Sequence, residues 1–308
     1  MTRLATREAG SARSAPRRNR RLRRWSAGDK TIIVLMVAVP MAVVTALVWL
    51  PALATVVLSF SDWDGIGDLN FVGGQNYVDV TSNYPPFQPA IQHNVIWLVA
   101  YFLGPALLGV VLAVLLDREV RGSRIYQSVF FLPMVLSLAL VGFIWQLIYS
   151  RDQGLLNEVL GTQTDWFGDP DVNLWAVLVA AGWRHTGYIM LLYLAGLKSV
   201  DPALREAAAV DGANEVRTFF QVVLPVMRPV NVVIVVITVI ESLRAFDIVW
   251  VVNKGRNGLE LISTLVTQNI IGEASRVGFG SALATIMIVI STVFIIIYLL
   301  QVMREQKK

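Results

Sequence analysis

Six long apolar runs constrain this chain more than any other feature. They cover roughly 31–60, 95–116, 125–149, 174–197, 229–252 and 279–303. Each reaches the ~20 residues that a helix needs to cross the hydrocarbon of a bilayer. Main-chain polar groups find no partner in lipid, so runs of this length cross as helices. The period-two alternation of a membrane barrel is absent. Charged residues make up 16% of the chain, against about 25% in soluble domains. The fold class is therefore all-α: a polytopic membrane protein with six transmembrane helices. Pro40, Pro51, Pro105 and Pro133 lie inside runs and read as kinks.

The first run is too long for a signal-peptide core and reads as an uncleaved span. There is no cysteine, and His93 and His185 are the two histidines, which excludes disulfide scaffolds, thiol catalysis and a His-rich metal site.

Lys and Arg set the direction. The first 30 residues hold ten. Arg118, Arg121 and Arg124 follow in the second connection, and Lys198, Arg205, Arg217 and Arg228 in the fourth. Arg304, Lys307 and Lys308 close the chain. That places twenty on one side. The other side has four, and Arg184 and Arg244 lie within spans. Both termini are expected to be cytoplasmic. The external connections carry eleven Asp and Glu, and 62–89 and 151–173 are rich in Gly, Pro and Asp, so short interfacial helices are expected there. The basic run 17–24 reads as an arm that fixes orientation and touches anionic lipid, not as a nucleic-acid site. The expected organisation is a basic arm over 1–30, a membrane domain over 31–303 with a cytoplasmic loop at 197–228, and a tail at 304–308.

That loop differs from the other connections in being amphipathic. Asp201 suits a helix N-cap, Pro202 the first helical position and Gly212 the left-handed residue that ends a helix. A helix over about 202–211 is expected, with Leu204, Ala207, Ala208 and Asp211 on one face. A second piece over about 214–223 should stop before Pro225. Periodicity alone fits either a docking knob or a connector lying on the membrane.

The residues Glu206-Ala-Ala-Ala-Val-Asp-Gly-Ala-Asn214, followed by Val223-Leu-Pro225, resemble the EAA loop of binding-protein-dependent ABC importer permeases, in the form of the carbohydrate-uptake branch (maltose and glycerol-phosphate permeases). Phe71-Val-Gly-Gly-Gln-Asn-Tyr77, Phe130-Phe-Leu-Pro133 and Gly278-Phe-Gly-Ser-Ala-Leu-Ala284 are also similar to that branch. The resemblance spans about 31–303. Val216 stands where the family usually has Trp and Arg217 where Gln is common. Asn253-Lys-Gly-Arg-Asn-Gly258 replaces a GGP-like turn.

The resemblance implies a type I ABC importer permease fold in a bacterial plasma (inner) membrane. The implied partners are a second homologous permease, two ATP-binding cassette subunits and an extracytoplasmic solute-binding protein. Glu206, Ala207, Ala208, Asp211, Gly212, Ala213, Leu224 and Pro225 would form the coupling site for the ATPase, with Glu206 as the charged contact. ATP and Mg would belong to the partner subunits. This chain has no Gly-x-x-x-x-Gly-Lys-Ser/Thr loop of its own, and no enzymatic activity is expected of it.

Ionisable groups inside spans are functional candidates. Arg184 lies eleven residues from Asn173 and Glu241 twelve from Pro229, so on an antiparallel pair of helices both reach mid-depth. His185 adjoins the first. Arg244 and Asp247 follow the second at steps of three, near one face. Trp183, Tyr188, Phe246 and Trp250 add aromatic faces, a combination that suits sugar hydroxyls and pyranose rings. By the resemblance, Ala181, Gly182, Arg184, His185, Thr238 and Glu241 fall where the branch touches its solute. The alternative for Glu241 and Arg244 is an ion pair that holds the bundle together. A phosphorylated polyol such as glycerol 3-phosphate is the alternative solute, which a mid-membrane Arg184 would favour. A stand-alone ion-coupled carrier would call for inverted repeats with two broken helices, and no internal repeat is evident. An intramembrane enzyme lacks a catalytic pair.

Overall fold

The computed structural model describes residues 26–118, 122–272 and 275–306. The arm up to residue 25, Arg121, Glu273, the side chain of Arg304, Lys307 and Lys308 lie outside the described residues. The chain divides into two compact units, 1–52 and 53–308. The described part of the first is helical. Ser26 and Asp29 form a reciprocal capping box at its start, and large side chains such as Met36 and Leu47 are exposed, as befits a lipid-facing span.

In chain order the main helices are α1 (Gly28–Leu58), α2 (Phe87–Asp117), α3 (Ser123–Val135), α4 (Leu138–Ile148), α5 (Pro170–Ser199), α6 (Pro202–Val210), α7 (Glu215–Val226), α8 (Arg228–Leu243), α9 (Asp247–Asn253), α10 (Ile262–Ile270) and α11 (Val277–Gln306). Short helices occupy the two Gly/Pro/Asp-rich connections, at Gln75–Val78 and Leu155–Leu160. No strand is present among the described residues; Ser61 and Phe71 form an isolated bridge.

The six apolar runs all become helix, but in three different ways. Helices α1, α2 and α11 are each long and apolar enough to span alone. The third run is a bent pair, α3 and α4, meeting at 103°. The fifth run breaks within itself at 244–246, between α8 and α9, and joins α7 through a 78° bend at Met227. A kink was expected at Pro133 in the third run, but the bend falls after it, at Leu136-Ser137, and no break was expected in the fifth. The fourth run, α5, is 30 residues long, and 16 of them are buried. It forms the centre of the second unit. Trp97, Tyr101, Val141 and Ile248 cluster with its Val177 in one half, and Ala113 and Val223 with its Ile189, Met190 and Tyr193 in the other.

Small residues permit this packing. A Cβ on Gly187 of α5 would stand 2.0 Å from the Phe130 carbonyl oxygen of α3, and one on Gly109 of α2 would stand 2.8 Å from the Thr186 carbonyl. Side chains at either position would force the backbones apart.

Three prolines are absorbed by local π-helical turns. These occur at Thr45–Trp49 ahead of Pro51, at Phe102–Ala106 around Pro105 and at Phe219–Val223 ahead of Pro225. Proline has no N–H for the carbonyl four residues back, and its ring collides with that carbonyl. A step from five residues away sidesteps both problems: Leu224 N–H bonds to Phe219 O, and Leu50 N–H to Thr45 O. This corrects the expectation that the second piece of the loop stops before Pro225. The helix runs through the proline to Val226.

Candidate functional site

Two places in the second unit gather the candidate residues. The first is the loop after α5. Asp201 caps α6, its Oδ1 accepting from Ala203 N–H at 2.9 Å, and Pro202 takes the first turn. Gly212 ends the helix at φ +79°, a conformation costly for a side chain, and Ala213 N–H reaches back to Ala208 O at 2.9 Å. Asn214 then caps α7, accepting from Arg217 N–H at 2.8 Å. The small-residue face divides. Ala208 turns into the protein, whereas Glu206, Ala207, Asp211 and Gly212 stay exposed, with Ala213 and Leu224 half-buried and Pro225 exposed.

The loop is tied to the bundle by groups with no motif of their own. Arg205 of α6 donates to Asp117 at the end of α2 (2.8 Å) and to the Leu197 carbonyl at the end of α5 (3.2 Å). Lys198 pairs with the other oxygen of Asp117 at 3.1 Å. Arg118 bridges to Glu215 of α7. Three helices thus meet on one carboxylate that is one-tenth exposed.

The second place is a cavity of about 270 Å³, and both breaks in the helices border it. Ser137 and Leu138 come from the α3–α4 bend, and Arg244, Ala245, Phe246 and Asp247 from the α8–α9 break. Arg184 and Glu241 line it as well, with Trp97 and Tyr101 of α2. Irregular backbone at membrane depth needs internal partners, and it has them here. Arg184 Nε donates to Leu136 O at 3.1 Å, Ser137 Oγ caps Leu140 N–H, and Ser263 Oγ donates to Ala245 O at 2.5 Å.

The four charged candidates inside spans therefore share one cavity: Arg184, Glu241, Arg244 and Asp247. Because α8 ends at Leu243, Asp247 begins a new helix. Among the described residues, none of the ion pairs involves any of the four. His185 and Thr238 form a separate buried pair, with Nε2 and Oγ1 3.3 Å apart and the imidazole stacked on Tyr101 at 4.7 Å. Trp183 points elsewhere, edge-on to Trp145, and Tyr188 stands 6.4 Å from His185. Trp97 and Tyr101 escaped the sequence reading because they lie more than 80 residues upstream of Arg184. The Trp97 indole N–H is buried.

Residues 106–306 match the family described as the binding-protein-dependent transport system inner membrane component. The xylose/arabinose import permease protein XacH of Haloferax volcanii is 32% identical over 76% of this chain and 76% of its own length. The trehalose/maltose transport system permease protein MalF of Thermococcus litoralis is 28% identical over 86% of this chain and 91% of its own. Among solved structures, a bacterial ABC transporter involved in import of the acidic polysaccharide alginate superimposes with a TM-score of 0.78 at 19% identity, covering 90% of this chain and 96% of its own. The same transporter, in complex with an alginate pentasaccharide-bound periplasmic protein, gives 0.76.

Proposed function

The chain belongs to the binding-protein-dependent transport system inner membrane component family, and from that membership we propose that it is one of two paired permease subunits of an ATP-driven importer for a sugar or oligosaccharide. An external solute-binding protein delivers the solute, and two cytoplasmic ATPases drive the cycle. The sugar class rests on the names of the relatives, which include a xylose/arabinose and a trehalose/maltose permease. Two broken helices also occur in ion-coupled carriers. Membership of a binding-protein-dependent family supports the importer reading over a stand-alone carrier.

The observation that carries the mechanism is the exposed α6–Gly212 corner standing on Asp117. A cleft that grips Glu206, Ala207 and Asp211 moves α6 as a unit. Arg205 and Lys198 then pass the movement to the ends of α2 and α5. Packed interfaces respond by switching between discrete arrangements. The cavity at the two breaks opens and closes with them, and Arg184, Glu241, Arg244 and Asp247 offer hydrogen-bond partners to a polyhydroxylated solute there.

Reconstitution tests the reading. The chain is co-expressed with its neighbouring permease, ATPase and binding-protein genes and placed in proteoliposomes. Uptake of maltotriose, of a xylose/arabinose mixture and of glycerol 3-phosphate is measured with and without internal ATP. ATP-dependent saccharide uptake that needs the binding protein is expected. Uptake driven by an ion gradient alone, or of glycerol 3-phosphate in preference, would overturn it.

A further inference from the structure

The charge partition leaves four cations in the connections on the external side: Arg151, Lys254, Arg256 and Arg276. Three of them converge. Lys254, Arg256 and Arg276 line one cavity of about 470 Å³, between the end of α9 and the start of α11. Among the described residues no carboxylate lines it. Among the described residues, Lys254, Arg256 and Arg276 take part in no ion pair. Arg276 donates instead to the neutral Asn269 amide at 2.6 Å and lies over the Phe279 ring at 4.4 Å. Three cations around one hollow, with no carboxylate among the described lining residues, repel each other and raise the local concentration of anions.

The framework that holds them is built. Gln268 Nε2 donates to the Lys254 carbonyl at 2.6 Å, and Asn253 Nδ2 donates to the Arg256 carbonyl at 2.6 Å. Lys254 itself sits at φ +58° as the residue that ends α9. Tyr84 and Trp250 add aromatic faces to the wall. The volume falls within the roughly 300–1,000 Å³ of ligand pockets. Rings and amides beside cations suit a sugar that carries an acid group better than a small phosphorylated polyol. The hollow also adjoins the inner cavity: Trp250 stacks on Phe246 at 5.3 Å and 23°, and Phe246 lines the inner cavity with Arg184 and Arg244.

We propose that this outer hollow is a recognition station for carboxylate-bearing oligosaccharides, chains of the uronic-acid type, on the way to the inner cavity. The proposal rests on the carbohydrate-importer reading and names the solute class. Lys254, Arg256 and Arg276 bind the carboxylates, and Tyr84 and Trp250 carry the ring faces.

The test uses the assembled transporter with its binding protein, in phosphatidylcholine nanodiscs that contain no anionic lipid, held with a non-hydrolysable ATP analogue. Trigalacturonate, galactotriose and glycerol 3-phosphate are titrated at low and high salt. Trigalacturonate should bind about tenfold tighter than galactotriose at low salt, as two or three half-exposed ion pairs allow, and the gap should narrow at high salt. K254Q/R256Q should close the gap, and R276K should keep it. Equal affinity for the charged and neutral chains, or glycerol 3-phosphate binding as tightly as the trimer, overturns the proposal. So does a K254Q/R256Q variant that weakens both trimers alike, which would make these cations contacts for the binding protein or supports of the fold. Uptake of both trimers into proteoliposomes is followed in parallel. ATP-driven uptake without acidic preference sinks this inference alone, whereas no ATP-driven uptake of either trimer sinks the importer reading with it.

Discussion

The Arg184 guanidinium donates through Nε to the main-chain carbonyl of Leu136, 3.1 Å away. A cation inside α5 thereby closes the backbone gap where α3 ends and α4 turns off at 103°. A carbonyl stranded at membrane depth costs what its missing partner supplied, and bonds to charged donors contribute about 1.5–3 kcal/mol. Arg184→Ala should therefore lower stability by about 2 kcal/mol, read as a fall in the thermal unfolding midpoint of the purified protein in detergent. Arg184→Gln, which keeps a donor, should recover part of the loss. Solute preference measured on the same variants separates the roles: if it stays constant while the midpoint falls, Arg184 supports the bend and does not touch the solute.

Gly187 supports a prediction about packing. Its missing Cβ leaves room for the Phe130 carbonyl, which a methyl group would meet at 2.0 Å. Both sides of that contact are helix backbone, so neither can rotate away. Gly187→Ala should cost at least about 3 kcal/mol, at the upper end of overpacking penalties, and should abolish accumulation of the protein in the membrane. Gly104→Ala, at a position with nothing within 4 Å, serves as the tolerated control. Normal membrane levels of Gly187→Ala would show that α3 and α5 stand farther apart than described.

The helices and the loop after α5 were legible because their signals are local. Asp201-Pro202 starts α6 and Gly212 stops it through chemistry within one or two residues. The breaks were not. Leu136-Ser137 sits inside a run that stays apolar around it, the charges at Glu241, Arg244 and Asp247 read as a solute face and not as a break, and Pro133, the obvious candidate, remains within α3. Whether an apolar run bends depends on which distant group accepts or donates at the gap: Arg184 for one break and Ser263 for the other. The cavity was half legible. Counting residues along two antiparallel helices brought Arg184 level with Glu241. Nothing local announced that α2 would deliver Trp97 and Tyr101, or that Asp117 would meet Arg205 across 88 residues.

Asp117 carries a prediction of its own. It receives Arg205 and Lys198 together while remaining one-tenth exposed. Its partners are half-exposed, so each pair contributes modestly, about 1 kcal/mol or less. Asp117→Asn should leave the protein folded and should loosen α6 from α2. In the reconstituted transporter, solute-stimulated ATPase activity should fall several-fold while basal activity holds or rises. An unchanged ratio of stimulated to basal activity would mean that the movement reaches α2 by another route.

The α6–Gly212 corner makes the most direct demand on the proposed mechanism. Gly212 has open space where a Cβ would be, so substitution is opposed by backbone conformation alone, at φ +79°. Gly212→Ala should cost about 1 kcal/mol, and Gly212→Asn less, because asparagine tolerates the left-handed region. Glu206 has no hydrogen bond or ion pair within the chain among the described residues and is exposed, so Glu206→Ala should not change the unfolding midpoint. If this carboxylate meets a cation on the ATPase, its removal should weaken co-purification of the ATPase about tenfold or more and abolish solute-stimulated hydrolysis, whereas Glu206→Gln should retain part of the association. Gly212→Ala should fall between wild type and Glu206→Ala, and Gly212→Asn nearer to wild type. Should Glu206→Ala keep both its ATPase subunits and its stimulated activity, the corner would lose its assigned role, and the cleft contact would have to be sought on the exposed residues of α7.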